Sequence, residues 1–128
     1  MIRKAGLTLL FAANLFASNA FSVTTHAFTQ GPAAEYILLP NEPQLFVNVF
    51  MWKVNATCKV TSANEENPLE INVLHKSGSF NGIPLSSGDS ITVIVHANQQ
   101  ITLSAAPAGK VELVNRGNVA MKVACSSS

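Results

Sequence analysis

From Tyr36 to Cys125 the apolar residues of this chain recur at every second position, in short runs broken by turn-forming residues. A period of two is what a strand shows when one of its faces is buried. Tyr36–Leu39 is a short apolar run ended by Pro40 and Pro43, the mark of an edge strand. The longest segment is Leu45–Val60. Its even positions (Phe46, Asn48, Phe50, Trp52, Val54, Ala56, Cys58, Val60) are apolar except for Asn48. Its odd positions begin apolar, with Leu45, Val47, Val49 and Met51, and then turn polar, with Lys53, Asn55, Thr57 and Lys59. One face is therefore expected to be buried throughout and the other over the first half. The segment is long for a single strand, so a bend, bulge or split is expected near Asn48 or Lys53.

Ser62–Pro68 is polar and reads as a loop. Further alternations follow at Leu69–Val73, Ile91–Val95, Ile101–Leu103, Val111–Leu113 and Val119–Cys125. Gly78, Gly82 and Pro84 break the stretch between the first two of these. Asn98-Gln99 and Asn115-Arg116-Gly117-Asn118 read as hairpin turns, and Pro107-Ala108-Gly109 as a third turn. No convincing helix follows the N-terminal segment. The expected fold class is all-β, a β-sandwich or barrel of about seven antiparallel strands.

The N-terminus reads as an address. Arg3 and Lys4 precede a run from Ala5 to Ala17 with no charge, and Ser18-Asn19-Ala20 is a small-x-small cleavage site. Residues 1–20 are expected to be a secretory signal helix that is cut off. The run is too short for a membrane anchor, which needs roughly 20 apolar residues, so no stable span is expected after cleavage. Removing residues 1–20 from the 128 leaves 108, enough for one hydrophobic core. Residues 21–34 are expected to be a flexible lead-in and residues 35–128 the folded domain. Export places the chain in the periplasm or outside the cell, where Cys58 and Cys125 meet oxidising conditions. One disulfide between them is expected, and the long loop it closes makes it worth about 4 kcal/mol.

A bond joining an early strand to a late one resembles the plan of immunoglobulin-like sandwiches. That resemblance implies a small Ig-like β-sandwich. The marker residues of the family itself are displaced: Trp52 precedes Cys58 instead of following it, and Val123 stands where a tyrosine would.

Chemical constellations are sparse. Gly88-Asp89-Ser90-Ile91 resembles the Gly-Asp-Ser start of the GDSL hydrolases, but no Asp-x-x-His partner exists, and Asp89 is the one aspartate in the chain. The segment reads as a turn. Glu65 and Glu66 lie in a polar loop, and Glu70 and Glu112 on expected solvent faces, where nothing raises a carboxyl pKa for acid catalysis. His26, His75 and His96 together with Met51 or Met121 have no ligand spacing, so no metal site and no cofactor are expected. The net charge of +1 over the whole chain gives no basic face for nucleic acid.

What remains is surface. Leu45, Val47, Val49 and Met51 form a second apolar stripe, and Phe80 beside Asn81-Gly82-Ile83-Pro84 marks a candidate contact loop. Either the Tyr36–Leu39 strand or the N-terminal segment covers this stripe, or it stays exposed, and contiguous exposed apolar residues mark partner sites. The sequence therefore points to an exported, non-enzymatic binding module with a protein partner, with a homo-oligomer also compatible. The alternatives are a structural or accessory subunit of an envelope or surface assembly, such as a pilus-like fibre or secretion apparatus, and more remotely a small metal carrier or hydrolase.

Overall fold

The computed structural model describes residues 23–28 and 31–127. The signal peptide expected over 1–20 lies outside the described residues. Eleven strands are present among them: β1 (Thr24–Ala27), β2 (Gly31–Leu38), β3 (Gln44–Val47), β4 (Val54–Ser62), β5 (Glu66–His75), β6 (Ser77–Phe80), β7 (Ile83–Ser86), β8 (Ser90–His96), β9 (Gln100–Ala105), β10 (Lys110–Asn115) and β11 (Met121–Ser127). They form a five-stranded sheet in the order β1-β3-β10-β5-β8 and a six-stranded sheet in the order β2-β11-β4-β9-β6-β7. The arrangement is sandwich-like. All pairings are antiparallel except β1 with β3.

The core lies between the inward faces of the two sheets. Phe46, Leu69, Ile71, Val73, Val95, Val111 and Leu113 come from one sheet, and Leu38, Val54, Cys58, Val60, Ile101, Met121 and Val123 from the other. The period of two survives in the burial of β4, where Val54, Ala56, Cys58 and Val60 face in and Asn55 and Lys59 face out. Burying these branched and sulfur-bearing side chains is the main force holding the sheets together, at about 25 cal/mol per Å² of apolar surface.

The strand count exceeds the expected seven for three reasons. Leu45–Val60 splits into β3 and β4, as its length suggested, with residues 48–53 outside either strand. The stretch 21–34, expected to be a loose lead-in, carries β1 and the start of β2. Its Thr24–Ala27 segment pairs beside Gln44–Val47, because Thr and Val backbones fit an extended edge. The Gly- and Pro-broken stretch forms the β6–β7 hairpin. Asn81 and Gly82 take φ of 48° and 83°, the two positive values that a tight two-residue turn requires. Pro84 stands opposite Ser79, next to the closing Phe80–Ile83 pair, where its missing N–H points away from β6.

Two expected hairpins are corrected. β8 and β9 lie in different sheets, as do β10 and β11, so Asn98-Gln99 and Asn115–Asn118 carry the chain across the core. The sole consecutive strands that pair among those described are β6 and β7. The expected disulfide joins an early strand to a late one, though not in the immunoglobulin manner. Cys58 and Cys125 are bonded, closing a separation of 67 residues, but they stand directly opposite each other on neighbouring strands β4 and β11. The bond staples one sheet, whereas an immunoglobulin disulfide joins two.

Three of the crossings are held by buried asparagines. Asn48, Asn67 and Asn115 are each at most 1% exposed. Each continues the inward phase of its strand one step beyond the last apolar residue, next to Phe46, Leu69 and Leu113 respectively. A side-chain amide there can serve backbone groups that a strand partner no longer reaches. Asn115 Nδ2 donates to Leu38 O and Val119 O at 2.9 and 2.8 Å, and its Oδ1 accepts from Gly117 N at 2.8 Å. Asn67 Nδ2 donates to Asn64 O and Val95 O, and Ser62 Oγ donates to its Oδ1.

Candidate functional site

One end of the molecule gathers the segment 48–53, the β5–β6 turn at Lys76 and the β9–β10 loop at 106–109. The strand register brings them together, since Lys110 pairs with Val47 on one side and His75 on the other. Between them runs an open groove of about 830 Å³ whose lining includes Leu45, Val47, Val49, Phe50, Met51 and Leu74, together with Pro107, Ala108 and Lys110.

Leu45 and Val47 face outward on β3 because Gln44 and Phe46 take the inward positions. They are half-buried. Val49 is 63% exposed and Met51 89% exposed. The structure therefore brings four of the five expected surface residues to one place. Phe80 is the exception: it is 1% exposed and belongs to the core. It precedes a tight hairpin, and its strand alternation turns the ring inward beside Leu103.

Trp52 and Leu74 complete the surface, at 51% and 49% exposure. The even phase of Leu45–Val60 put Trp52 in the core. It is outside because the chain leaves the sheet after Val47. The Trp52 ring stacks on Phe50 with centroids 4.9 Å apart. Leu74 falls on the outward phase of β5, and the signal that could have found it is its break from the polar outward pattern of Glu70 and Asn72.

Asn48 fixes this loop. Its Oδ1 accepts from Phe50 N at 2.9 Å, and the two hydrogens of Nδ2 are shared among Trp52 O, Ala105 O and Ala106 O at 2.8 to 3.1 Å. Its own N–H donates to Gly109 O at 2.9 Å. The apolar tip is thus tied to β9 and to the β9–β10 loop by one buried side chain. Lys110 lines the groove, Lys53 ends the 48–53 segment and Lys76 lies in the β5–β6 turn, with Asp89 the acid of the adjacent β7–β8 turn. The opposite end carries Glu42, Glu65 and Glu66.

The chemical candidates resolve into structural roles. Asp89 Oδ2 accepts from Ser86 N at 2.7 Å and Gly88 has φ of 94°, which makes the Gly-Asp-Ser segment a turn. Ser90 Oγ donates to Asn72 Oδ1, not to an imidazole base. On the outer face of the five-stranded sheet, Asn72 Nδ2 bridges Glu70 and Glu112 at 2.9 Å each, and Arg116 Nε donates to Glu70 at 2.8 Å. The hydrogen bond from Arg116, followed by that from Asn72, holds the Glu70 carboxyl below its ordinary range. That shift runs opposite to what a general acid needs.

His26 packs against Tyr36 and Phe46 with its Nε2 2.8 Å from Gln44 Oε1. Met121 is fully buried while Met51 is exposed, so they cannot serve one centre. Among the described residues no three His, Cys, Asp or Glu side chains converge on a metal position. No helix among them is long and apolar enough to cross a membrane. Comparison with family models, with curated proteins and with solved structures returns no match.

Proposed function

We propose that this chain is an exported binding module, without catalysis of its own, that engages a protein partner through the apolar end formed by Leu45, Val47, Val49, Met51, Trp52 and Leu74. The observation that carries the reading is the coupling of exposure with rigidity. A bare methionine and tryptophan cost solubility, yet a buried four-contact asparagine holds them outward.

The lysines select the partner's chemistry. Lys110 at the groove, with Lys53 and Lys76 in its flanking segments, suits a protein surface with an apolar anchor and carboxylates at its rim, since complementary charge speeds encounter and fixes register. Export is supported by the Arg3-Lys4 start and apolar run of residues 1–20. The disulfide supports it too, since such bonds persist in oxidising compartments.

The test expresses the full chain in a cell that secretes it. The expected product lacks residues 1–20, has no free thiol and leaves the cytoplasm. Affinity capture with the wild type is expected to retain a defined protein that Val47→Glu/Met51→Glu loses, while the variant keeps its melting temperature. An uncleaved, reduced chain would overturn the export reading. Capture unchanged by the two glutamates would overturn the site. Recovery solely as part of a large regular assembly would favour the structural-subunit reading.

A further inference from the structure

Among the described residues, the outer margin of β8 is an unpaired sheet edge. β8 closes one side of the five-stranded sheet. It pairs with β5 in unbroken register from Asn72–Ser90 to Glu66–His96, and nothing among the described residues pairs its other side. Exposed edges are ordinarily blunted by proline, charge, bulges or short length. The other sheet margins follow that rule: β1 and β7 have four residues each, β7 includes Pro84, and β2 includes Pro32 and Glu35. β8 has seven residues, Ser-Ile-Thr-Val-Ile-Val-His, with no proline, lysine, arginine or carboxylate.

The backbone groups it offers can be named. In an antiparallel ladder, alternate residues direct both N–H and C=O to the same neighbour. At one end Val73 N donates to Asp89 O at 2.9 Å, and at the other Ala97 N donates to Glu65 O at 3.0 Å. Odd-numbered residues between them therefore bond to β5, and Ser90, Thr92, Ile94 and His96 face outward. His96 is already closed, because its N–H donates to Gln99 Oε1 at 2.8 Å and its C=O accepts from Gln99 N at 3.0 Å. Three donors and three acceptors remain, on Ser90, Thr92 and Ile94.

We propose that this edge pairs with β8 of a second copy of the chain, antiparallel, about a two-fold axis at Thr92. Ser90 then stands opposite Ile94 of the second copy, and Thr92 opposite its own counterpart. All six free groups on each strand find partners. Centring the pair on Ile94 would set Thr92 against the closed His96, and centring it on Ser90 would strand Ile94, so the two-fold at Thr92 is the register that satisfies every group. On the inner face, Ile91 and Val93 are half-buried against the core and would cover one another across the axis. On the outer face, paired threonines are a favourable cross-strand match. No charged side chain on the strand repels its copy. The product is one continuous ten-stranded sheet across two molecules, an isologous contact. Its small area places it among weak, concentration-dependent interfaces.

Sedimentation equilibrium of the mature, oxidised protein between about 10 µM and 1 mM tests the proposal, since weak interfaces of this size associate in that range. Dimerisation is expected. Thr92→Pro removes an N–H that faces away from β5, so the fold is kept and the association constant falls by about tenfold or more. Thr92→Lys puts two like charges on the axis and gives a monomer. Met51→Glu leaves the dimer intact, which separates this surface from the apolar end. In the wild type, the amides of Ser90, Thr92 and Ile94 slow their hydrogen exchange as concentration rises. A wild type that stays monomeric to 1 mM, or a dimer indifferent to both Thr92 changes, would overturn the proposal.

Discussion

Replacing Asn48 by alanine removes the anchor of the apolar tip, and the cost follows from what its amide serves. The Oδ1 atom is the acceptor for Phe50 N, and Nδ2 supplies Ala105 O in the buried interior. Phe50 N, Trp52 O and Ala106 O lie nearer the surface and regain water. One buried group is therefore stranded, at about 2 kcal/mol. A domain of this size loses roughly 0.2 kcal/mol per degree near its midpoint, so Asn48→Ala lowers Tm by about 10 °C. Asn48→Asp keeps the acceptor but sets a carboxylate against three carbonyl oxygens. It is expected to be worse than alanine at pH 7. Burial among acceptors raises the pKa of that carboxyl in the folded state, so the variant regains stability as pH falls through the raised value. The alanine variant shows no such recovery. Trp52 is the single tryptophan, which makes its fluorescence a direct report on the loop. Its native emission should shift to the red and quench more readily in Asn48→Ala, as the Phe50 stack loosens. A loss under about 1 kcal/mol with unchanged Trp52 emission would refute the anchoring role.

Other outcomes follow from the same geometry. Phe80→Ala opens a cavity in the core and costs about 3–5 kcal/mol by denaturant unfolding, whereas Met51→Ala changes stability by about 0.5 kcal/mol at most. Replacing Cys58 and Cys125 together by alanine frees the 67-residue loop of the unfolded chain and costs about 4 kcal/mol. Equal melting of oxidised and double-alanine proteins would contradict this. Arg116→Ala costs about 0.5 kcal/mol at pH 7. Because the Glu70 carboxyl is lowered in the folded state, that contribution exists above the ordinary carboxyl pKa of about 4.3 and disappears as pH falls through the folded value. Unfolding midpoints of wild type and variant should therefore converge in acid.

The sequence made the strands legible where one face alone is buried. β4 and β5 alternate so regularly that their inward residues were readable in advance. Pairing was not legible. Asn98-Gln99 and Asn115–Asn118 have turn chemistry, but whether a turn returns the chain to its neighbour or carries it across the core depends on contacts with distant strands. Asn81-Gly82 carried the strongest local hairpin signal and was read as a loop because the glycines and Pro84 around it masked the short strands. The apolar stripe of Leu45, Val47, Val49 and Met51 was legible as the point where both faces of a strand turn apolar. Trp52 was misplaced because alternation assumes an unbroken strand, and the chain leaves its sheet at Asn48. The signal was present in Asn48 itself, the one polar residue in the inward phase. Asn67 and Asn115 break their strands in the same way, so a polar amide in the core phase at a strand end marks a crossing.

Site-specific photo-cross-linking in the secreting cell tests the binding surface most directly. A photoreactive residue is placed at Met51 in the full-length chain, with a control at Glu65 on the opposite end. The account predicts a discrete cross-linked protein from position 51, lost when Val47 is changed to glutamate and absent from position 65. Cross-linking that is equal at both ends, or absent at 51 while the folded, exported protein is present, would contradict it.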